Sequence, residues 1–501
     1  MADWVHELCD GWAEDAPAVW DHDDARYSYG DLRGMIDAVA EGLIRHGVRP
    51  GDRMMLVSEN CAVFAAAVLA ISKVGAWIMP VNARHTVGEL RSLLAHAEPS
   101  AMLFPVGITA EADAHAKTFD ANAIIDTMAG GLAIARLRSK PELVQNDPTE
   151  QVGALLYTTG TTSAPKGVML THKNLTWNAD LSAKLRGVTA GDLVLGVLPG
   201  SHIFGFASTM MATFHIGACI RFLKRFDPQS VLDALRDGAS VMPAVPAMYA
   251  RIIAHLDKTG ATLTAPKLHY ISAGGAPLDP DLKRRVQDEF GLTLNNGYGI
   301  TEAAPSVAAT RPSDPRDDVS CGPPLWGVTL TIDAANDDGV GEIIIDSPGV
   351  MKGYYRNPEA TDEALPSPGV FRSGDLGRID EHGMLYVEGR KKELIIRSGF
   401  NVYPPEVEGI LTKHDLVTQA AVVPRRRAGD EDILAFVMVT GAVDPASLAH
   451  WLRQHLVAYK LPNAIFVVDA FPVAPTGKIL KHKLIDHFAD QVAAWDKEHL
   501  E

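Results

Sequence analysis

The sequence predicts an α/β protein in which β/α units build a parallel sheet covered by helices, followed by a smaller region at the C-terminal end. Two observations carry this expectation. Short apolar runs alternate with helical patterns through the N-terminal part of the chain, and the style changes near Gly389, where a strand-like GMLYVEG gives way to Gly-Arg-Lys-Lys. With 501 residues, 47% hydrophobic and 22% charged, the chain can bury large cores and should divide into more than one domain.

The elements follow in order. RMMLVSE (53–59) reads as a strand, AVFAAAVLAISKVG (62–75) as a helix, AWIMPVN (76–82) as a strand, GELRSLLAHAE (88–98) as a helix and AMLFPV (101–106) as a strand. The apolar stretch Cys61 to Ile71 ends at Ser72 and Lys73, too short to span a bilayer and suited to a buried helix. The pattern returns at VLDALRDGASVMPAVPAMYARIIAHL (231–256), around a short strand at Ser240 to Met242. No integral membrane segment is expected. The opening MADWVHELCDGWAED carries acids early and lacks the apolar core of a secretory signal, which points to a cytoplasmic protein.

A formal charge of −16 disfavours a general nucleic-acid or anionic-membrane surface, since both need a basic face. Anions must be bound by local cations. The cysteines, Cys9, Cys61, Cys219 and Cys321, are scattered without CxxC pairing, so neither a zinc site nor a disulfide framework is indicated.

Local cations are found in YTTGTTSAPKG (157–167), where four threonines, one serine and two glycines precede or enclose Lys166. Backbone N–H groups freed by the glycines and the hydroxyls can wrap phosphoryl oxygens while the lysine supplies a point charge. The loop is not a Walker A motif, because Pro165 stands at the second glycine and Gly167 follows the lysine. A polar loop between two strands remains the alternative for this segment alone.

Four further strings follow: NNGYGITE (295–302), SGDLG (373–377), YVEGRKKELIIRSGFNVYPPEVE (386–408) and PTGK (475–478). In order and spacing the set resembles the adenylate-forming superfamily of acyl-CoA synthetases, nonribosomal peptide synthetase adenylation domains and luciferases, over nearly the whole chain. The resemblance implies a large N-terminal adenylation domain of β/α subdomains, residues 1–391, and a small mobile α+β C-terminal domain, residues 392–501, turning about a hinge at Lys392. It implies ATP, Mg²⁺ and coenzyme A as cofactors and co-substrates.

The resemblance also distributes roles. Thr158, Thr159, Gly160, Thr161, Thr162 and Lys166 would hold phosphates. Gly274, Gly275 and Ala276 would let backbone approach adenine and acyl group, and Asn296, Gly297, Tyr298 and Gly299 would form the adenine-binding strand end. Thr301 would touch the α-phosphate and Glu302 would coordinate magnesium, as suits a hard cation. Asp375 would accept the ribose hydroxyls, assisted by Arg390. Lys478 would bridge the substrate carboxylate and the α-phosphate, preorganised charge worth about 3–4 kcal/mol. After rotation, Arg397, Ser398 and Gly399 would line a pantetheine tunnel. The phosphate loop departs from the family's usual YTSGTTGxPKG at Thr159 and Ser163; the first keeps a hydroxyl and the second restricts the loop or adds a donor.

The implied reaction is acyl-adenylate formation followed by thiol attack, an acid–CoA ligase. Transfer to a carrier-protein phosphopantetheine is the runner-up; a catalytically silent nucleotide-binding homologue and an oxygenase stand further back. LPGSHIFGF (198–206) places His202, proposed as catalytic, where amino-acid-activating relatives carry an aspartate, and Gly297 stands where malonate-activating relatives carry an arginine. An uncharged aliphatic or aromatic acid is therefore expected, in a pocket of His202, Phe206, Val245, Met248, Gly274, Gly299 and Ile300. The partners are a small carboxylic acid, CoA or a carrier protein, and a lysine acetyltransferase acting on Lys478; a homodimer is left open. The run Arg425 to Arg427 fits CoA phosphates or, at least as well, a solvated face.

Overall fold

Apolar strands that alternate with capped helices fold, among the described residues, into two eight-stranded sheets, a four-stranded antiparallel sheet and two smaller C-terminal sheets of two and three strands. The structure is a computed structural model and describes residues 2–158, 166–397, 400–427, 430–473 and 479–499, with nothing to add on the side chains of Arg427, Asp430 and His499. Thr159 to Thr162, Ser398, Gly399 and Lys478 lie outside the described residues.

One eight-stranded sheet runs Gly353–Tyr354, Lys166–Thr171, Val152–Thr158, Trp77–Asn82, Arg53–Ser58, Ala101–Pro105, Gly130–Arg136, Ala123–Thr127. Its central strands are parallel and its edges antiparallel. The second runs Ser306–Ala309, Leu294–Gly299, Tyr270–Gly274, Val241–Ala244, Leu193–Gly196, Cys219–Phe222, Pro17–Trp20, Arg26–Ser28, again parallel inside. The expected β/α subdomains thus take the form of two mixed sheets, parallel inside. Hairpin returns at the edges, such as Leu294–Gly299 against Ser306–Ala309, reverse the direction there.

Burial on both faces explains the near-continuous apolar strands. Met54 and Leu56 enter a core shared by both sheets, while Met55 and Val57 face the opposite way into another. The expected buried helix forms as Ala62–Lys73, with every residue from Ala62 to Ser72 buried inside the shared core. Helix His172–Arg186 starts at a Thr171 cap, closed reciprocally by Asn174, and stops at Gly187, whose φ of 63° few other residues accept.

The four-stranded sheet, Thr329–Asp333, Gly341–Asp346, Val370–Ile379 and Leu385–Arg390, is antiparallel throughout. Beyond a turn at 391–394 the chain starts a separate set of elements, among them Val417–Arg427, Asp430–Val439 and Ala464–Val467 with helices Pro404–Leu411 and Pro445–His455. Their apolar residues pack into cores of their own. Arg425, the first of the arginine run, is ion-paired to Asp432 and Asp496 within these elements, while Arg426 is exposed. No helix among the described residues is long and apolar enough to cross a membrane.

Candidate active site

The parallel strands Tyr270–Gly274 and Leu294–Gly299 run side by side, Gly274 opposite Gly297, and end at a cavity of about 630 Å³. Open α/β sheets bind ligands at this end of their strands. The facing wall comes from the four-stranded sheet, through Arg372, Ser373, Gly374 and Arg390, and from Tyr354. Thr158 and Lys166 are register partners on adjacent antiparallel strands, and both line the cavity.

Two polar clusters face each other there. In the first, Asp375 and Arg390 are register partners on adjacent antiparallel strands, which puts their side chains on one face. Arg390 Nε lies 3.1 Å from Asp375 Oδ1, and Tyr298 OH donates to Oδ2 at 2.6 Å. Asp375 is only 4% exposed and lies just behind the lining residues Gly374 and Arg390. Its charge reinforces the Arg390 guanidinium, and burial above all raises the Tyr298 phenol.

In the second cluster Tyr354 OH donates to Glu302 Oε1 at 2.9 Å, and Lys166 Nζ stands 4.5 Å from the centre of the Tyr354 ring. Burial raises the Glu302 carboxyl above its usual range, with the Tyr354 hydrogen bond acting against that shift. No described cationic side chain forms an ion pair with Glu302. Thr301 and Glu302 open a one-turn 3₁₀ helix that extends the adenine-motif strand into the cavity.

The cavity brings together Thr158, Lys166, His202, Gly274, Gly275, Asn296 to Glu302, Arg390 and Lys392. A Cβ at Gly274 would come within 3.3 Å of the Phe204 ring, a tight contact, and Gly275 has a φ of +79° that favours glycine. Ala276 is exposed beyond the lining. Asn296 is placed as expected, yet its Nδ2 donates to the Val319 and Ser320 carbonyls at 2.9 and 3.2 Å. The amide NH₂ is therefore committed to backbone.

Three residues expected in the acyl pocket do not line this cavity. Phe206 is fully buried in the shared core, because the segment Phe204–Met211 folds as a π-helix that turns it away from the cavity. Val245 caps helix Pro246–Thr259, and Met248 packs against a separate core on the far side of the sheet. Neither lines the cavity. Arg397, expected at the tunnel only after rotation, here donates to the Leu461 carbonyl within the C-terminal elements. Sequence reasoning missed Tyr354, Glu342, Arg186 and Tyr270. Glu342 accepts from Arg372 and the Gly374 N–H, stiffening the strand that carries Asp375. Only Tyr354, inside Gly353-Tyr354-Tyr355, had a local sequence signal, an aromatic pair after a glycine.

The AMP-binding enzyme family matches residues 6–355 and its C-terminal domain residues 406–478. The chain belongs to this family. It is 33% identical over 483 residues to a feruloyl-CoA synthase of Amycolatopsis sp, covering 93% of this chain and 95% of the relative. It is 32% identical over 488 residues to 4-coumarate–CoA ligase 5 of Oryza sativa subsp. japonica, covering 91% and 88%. Among solved structures, ATP-bound MatB from Rhodopseudomonas palustris superposes with a TM-score of 0.83 at 27% identity, over 98% of this chain and all of that one. The apo form of MatB gives 0.73. Family membership and end-to-end similarity to CoA ligases make this adenylate-forming protein an AMP-forming acid–CoA ligase.

Proposed function

We propose that the cavity joins a carboxylic acid to the α-phosphate of ATP and that the resulting acyl-adenylate is then attacked by the thiol of coenzyme A. The observation that carries this reading is the convergence of the Asp375–Tyr298–Arg390 and Glu302–Tyr354–Lys166 clusters on one cavity. A carboxylate is a poor acyl donor, and AMP is a far better leaving group than oxide; adenylation supplies that leaving group.

In this reading Asp375 accepts the ribose hydroxyls while Arg390 and Tyr298 hold its two oxygens in place. Lys166 and the Thr158 hydroxyl meet the phosphates at the rim. Glu302 is the described carboxylate that would hold Mg²⁺. Its fit rests on a buried carboxyl that lines the cavity and has no ion-pair partner among the described residues, since Mg²⁺ is commonly bound through one or two carboxylates plus substrate phosphates. When bound, the ion supplies positive charge opposite the phosphates.

Two reactions need two arrangements around the same adenylate. We place the domain boundary at 391/392 and the hinge at Lys392, a turn residue between sheets that also lines the cavity. Rotation there carries the Lys478 segment away and the Arg397 segment in. The difference in TM-score between ATP-bound and apo MatB supports reading the described arrangement as the adenylate-forming one. The acid is aromatic or aliphatic; the similarity to feruloyl- and coumarate-activating relatives supports an aromatic one. Incubation with ATP, Mg²⁺, CoA and a mixed acid library, followed by product mass spectrometry, should yield AMP and an acyl-CoA. Acyl transfer only to a phosphopantetheinylated carrier protein would replace CoA as acceptor, and no adenylate from any acid would refute the reading.

A further inference from the structure

One wall of the acyl cavity is charged. Arg186, the last residue of helix His172–Arg186, is 6% exposed and lines the cavity. Among the described residues no carboxylate pairs with it. Its guanidinium donates to the Ser208 carbonyl, shares a hydrogen bond with the Tyr270 side chain and stands 5.9 Å from the Phe204 ring. Those contacts leave part of a five-donor group unmatched. A buried cation without an anion is costly unless something that enters the site completes its shell.

The position of Arg186 sets what that something is. Tyr270, Ser272 and Gly274 alternate along one strand and all three line the cavity, whereas Ile271 packs only into the core behind the sheet. From Gly274, beside the reaction centre, to Tyr270 is four residues of strand, roughly 13 Å at about 3.3 Å per residue. Arg186 therefore stands at the end of the cavity far from the chemistry. Beside it lies a second cavity of about 320 Å³, which shares Leu185, Arg186 and Tyr270 with the first. Its wall adds Lys184 and Arg311, each 4.5 Å from the centre of the Trp326 ring and neither in a described ion pair. The neighbouring His269 is paired to Asp192 at 2.7 Å. The far end is electropositive in a chain of net charge −16.

We infer that Arg186, supported by Tyr270, is a specificity residue that binds an acceptor oxygen at the distal end of the acyl tail, a ketone or a second carboxylate about one cavity length from the reacting carboxyl. This rests on the ligase reading and narrows its substrate class. An acid ending in hydrocarbon would leave the guanidinium desolvated and incompletely bonded, which is the arrangement that sites use to reject an analogue lacking a polar group.

The test uses the full chain and three adenylate mimics, the acyl-sulfamoyl adenosines of nonanoate, 8-oxononanoate and nonanedioate, with binding measured by calorimetry. The unaltered protein should bind the ketone or the dicarboxylate mimic at least roughly tenfold more tightly than the nonanoyl one, and the better of the two identifies the source of the oxygen. Arg186→Met should abolish the preference while leaving nonanoyl binding unchanged or tighter. Tyr270→Phe, which keeps the guanidinium, should reduce the preference and supplies the same readout if Arg186→Met does not fold. Equal or tighter binding of the nonanoyl mimic, an equal loss on all three in Arg186→Met, or binding of none would overturn the assignment. Pyrophosphate release with ATP and the free acids reports the ligase reading separately: a binding preference without release would sink that reading and leave the tail assignment standing.

Discussion

Asp375→Asn removes one negative charge from the proposed ribose anchor while keeping the shape of the side chain. A hydrogen bond to a charged group is worth about 1.5–3 kcal/mol, against about 0.5–1.5 kcal/mol for a neutral pair. Two ribose hydroxyls should then lose roughly 2–3 kcal/mol, which is about 30- to 150-fold in affinity at about 1.4 kcal/mol per tenfold. The free protein loses less. Tyr298 OH can still donate to the Asn oxygen, and the broken partner, Arg390, has a side chain 39% exposed, so solvent screening limits that cost to about 1 kcal/mol. Calorimetric titration with ATP and with 2′,3′-dideoxy-ATP separates the terms. Affinity for ATP should fall by the factor above, and affinity for the dideoxy nucleotide should barely change. An equal loss for both nucleotides would show that Asp375 only holds the strand pair together, and the ribose assignment would be wrong.

Glu302→Gln should lower pyrophosphate release by about 100-fold or more, the usual effect of removing one preorganised electrostatic group, yet raise the melting temperature of the ligand-free protein. The sign follows from the raised carboxyl: its ionised form is penalised in the folded state, so the stability it contributes is full below the unfolded pKa and is lost as pH rises through the folded one. The melting advantage of the Gln variant should therefore grow with pH and vanish in acid, while Mg²⁺-dependent ATP binding by the unaltered protein weakens as pH falls; a pH-independent gap in melting temperature would contradict the burial argument. Lys392→Pro fixes φ at the proposed hinge and should let adenylate accumulate while acyl-CoA falls, as seen by quenched-flow analysis of both products; unchanged turnover would exclude a hinge there. Lys478→Ala should cripple adenylation far more than thioester formation from presupplied acyl-adenylate, and equal loss of both half-reactions would count against its role.

The sequence by itself determined the family, the order of the elements and most of the motif residues that line the cavity. Asn296 to Glu302 and Gly274 with Gly275 are contiguous, and Thr158 and Lys166 lie eight positions apart in one motif, so a string of residue types at fixed spacing already specifies which groups reach one cavity. The buried helix Ala62–Lys73 was legible for a similar reason, because its apolar run is local. Tertiary structure decided everything that depends on which strands become neighbours. Asp375 and Arg390 become partners only through antiparallel register, and Tyr298 reaches Asp375 across 77 positions of sequence. Glu302 and Tyr354 meet across 52. The acyl pocket was the least legible part, since side chains at its wall are set by packing rather than by motif. A π-helix turned Phe206 into the core, and the end of a capped helix delivered Arg186 beside Tyr270, placing a charge where an apolar wall was expected. Spacing along a chain fixes local geometry; the direction in which a distant helix end points is fixed only when both sheets have closed around the same core.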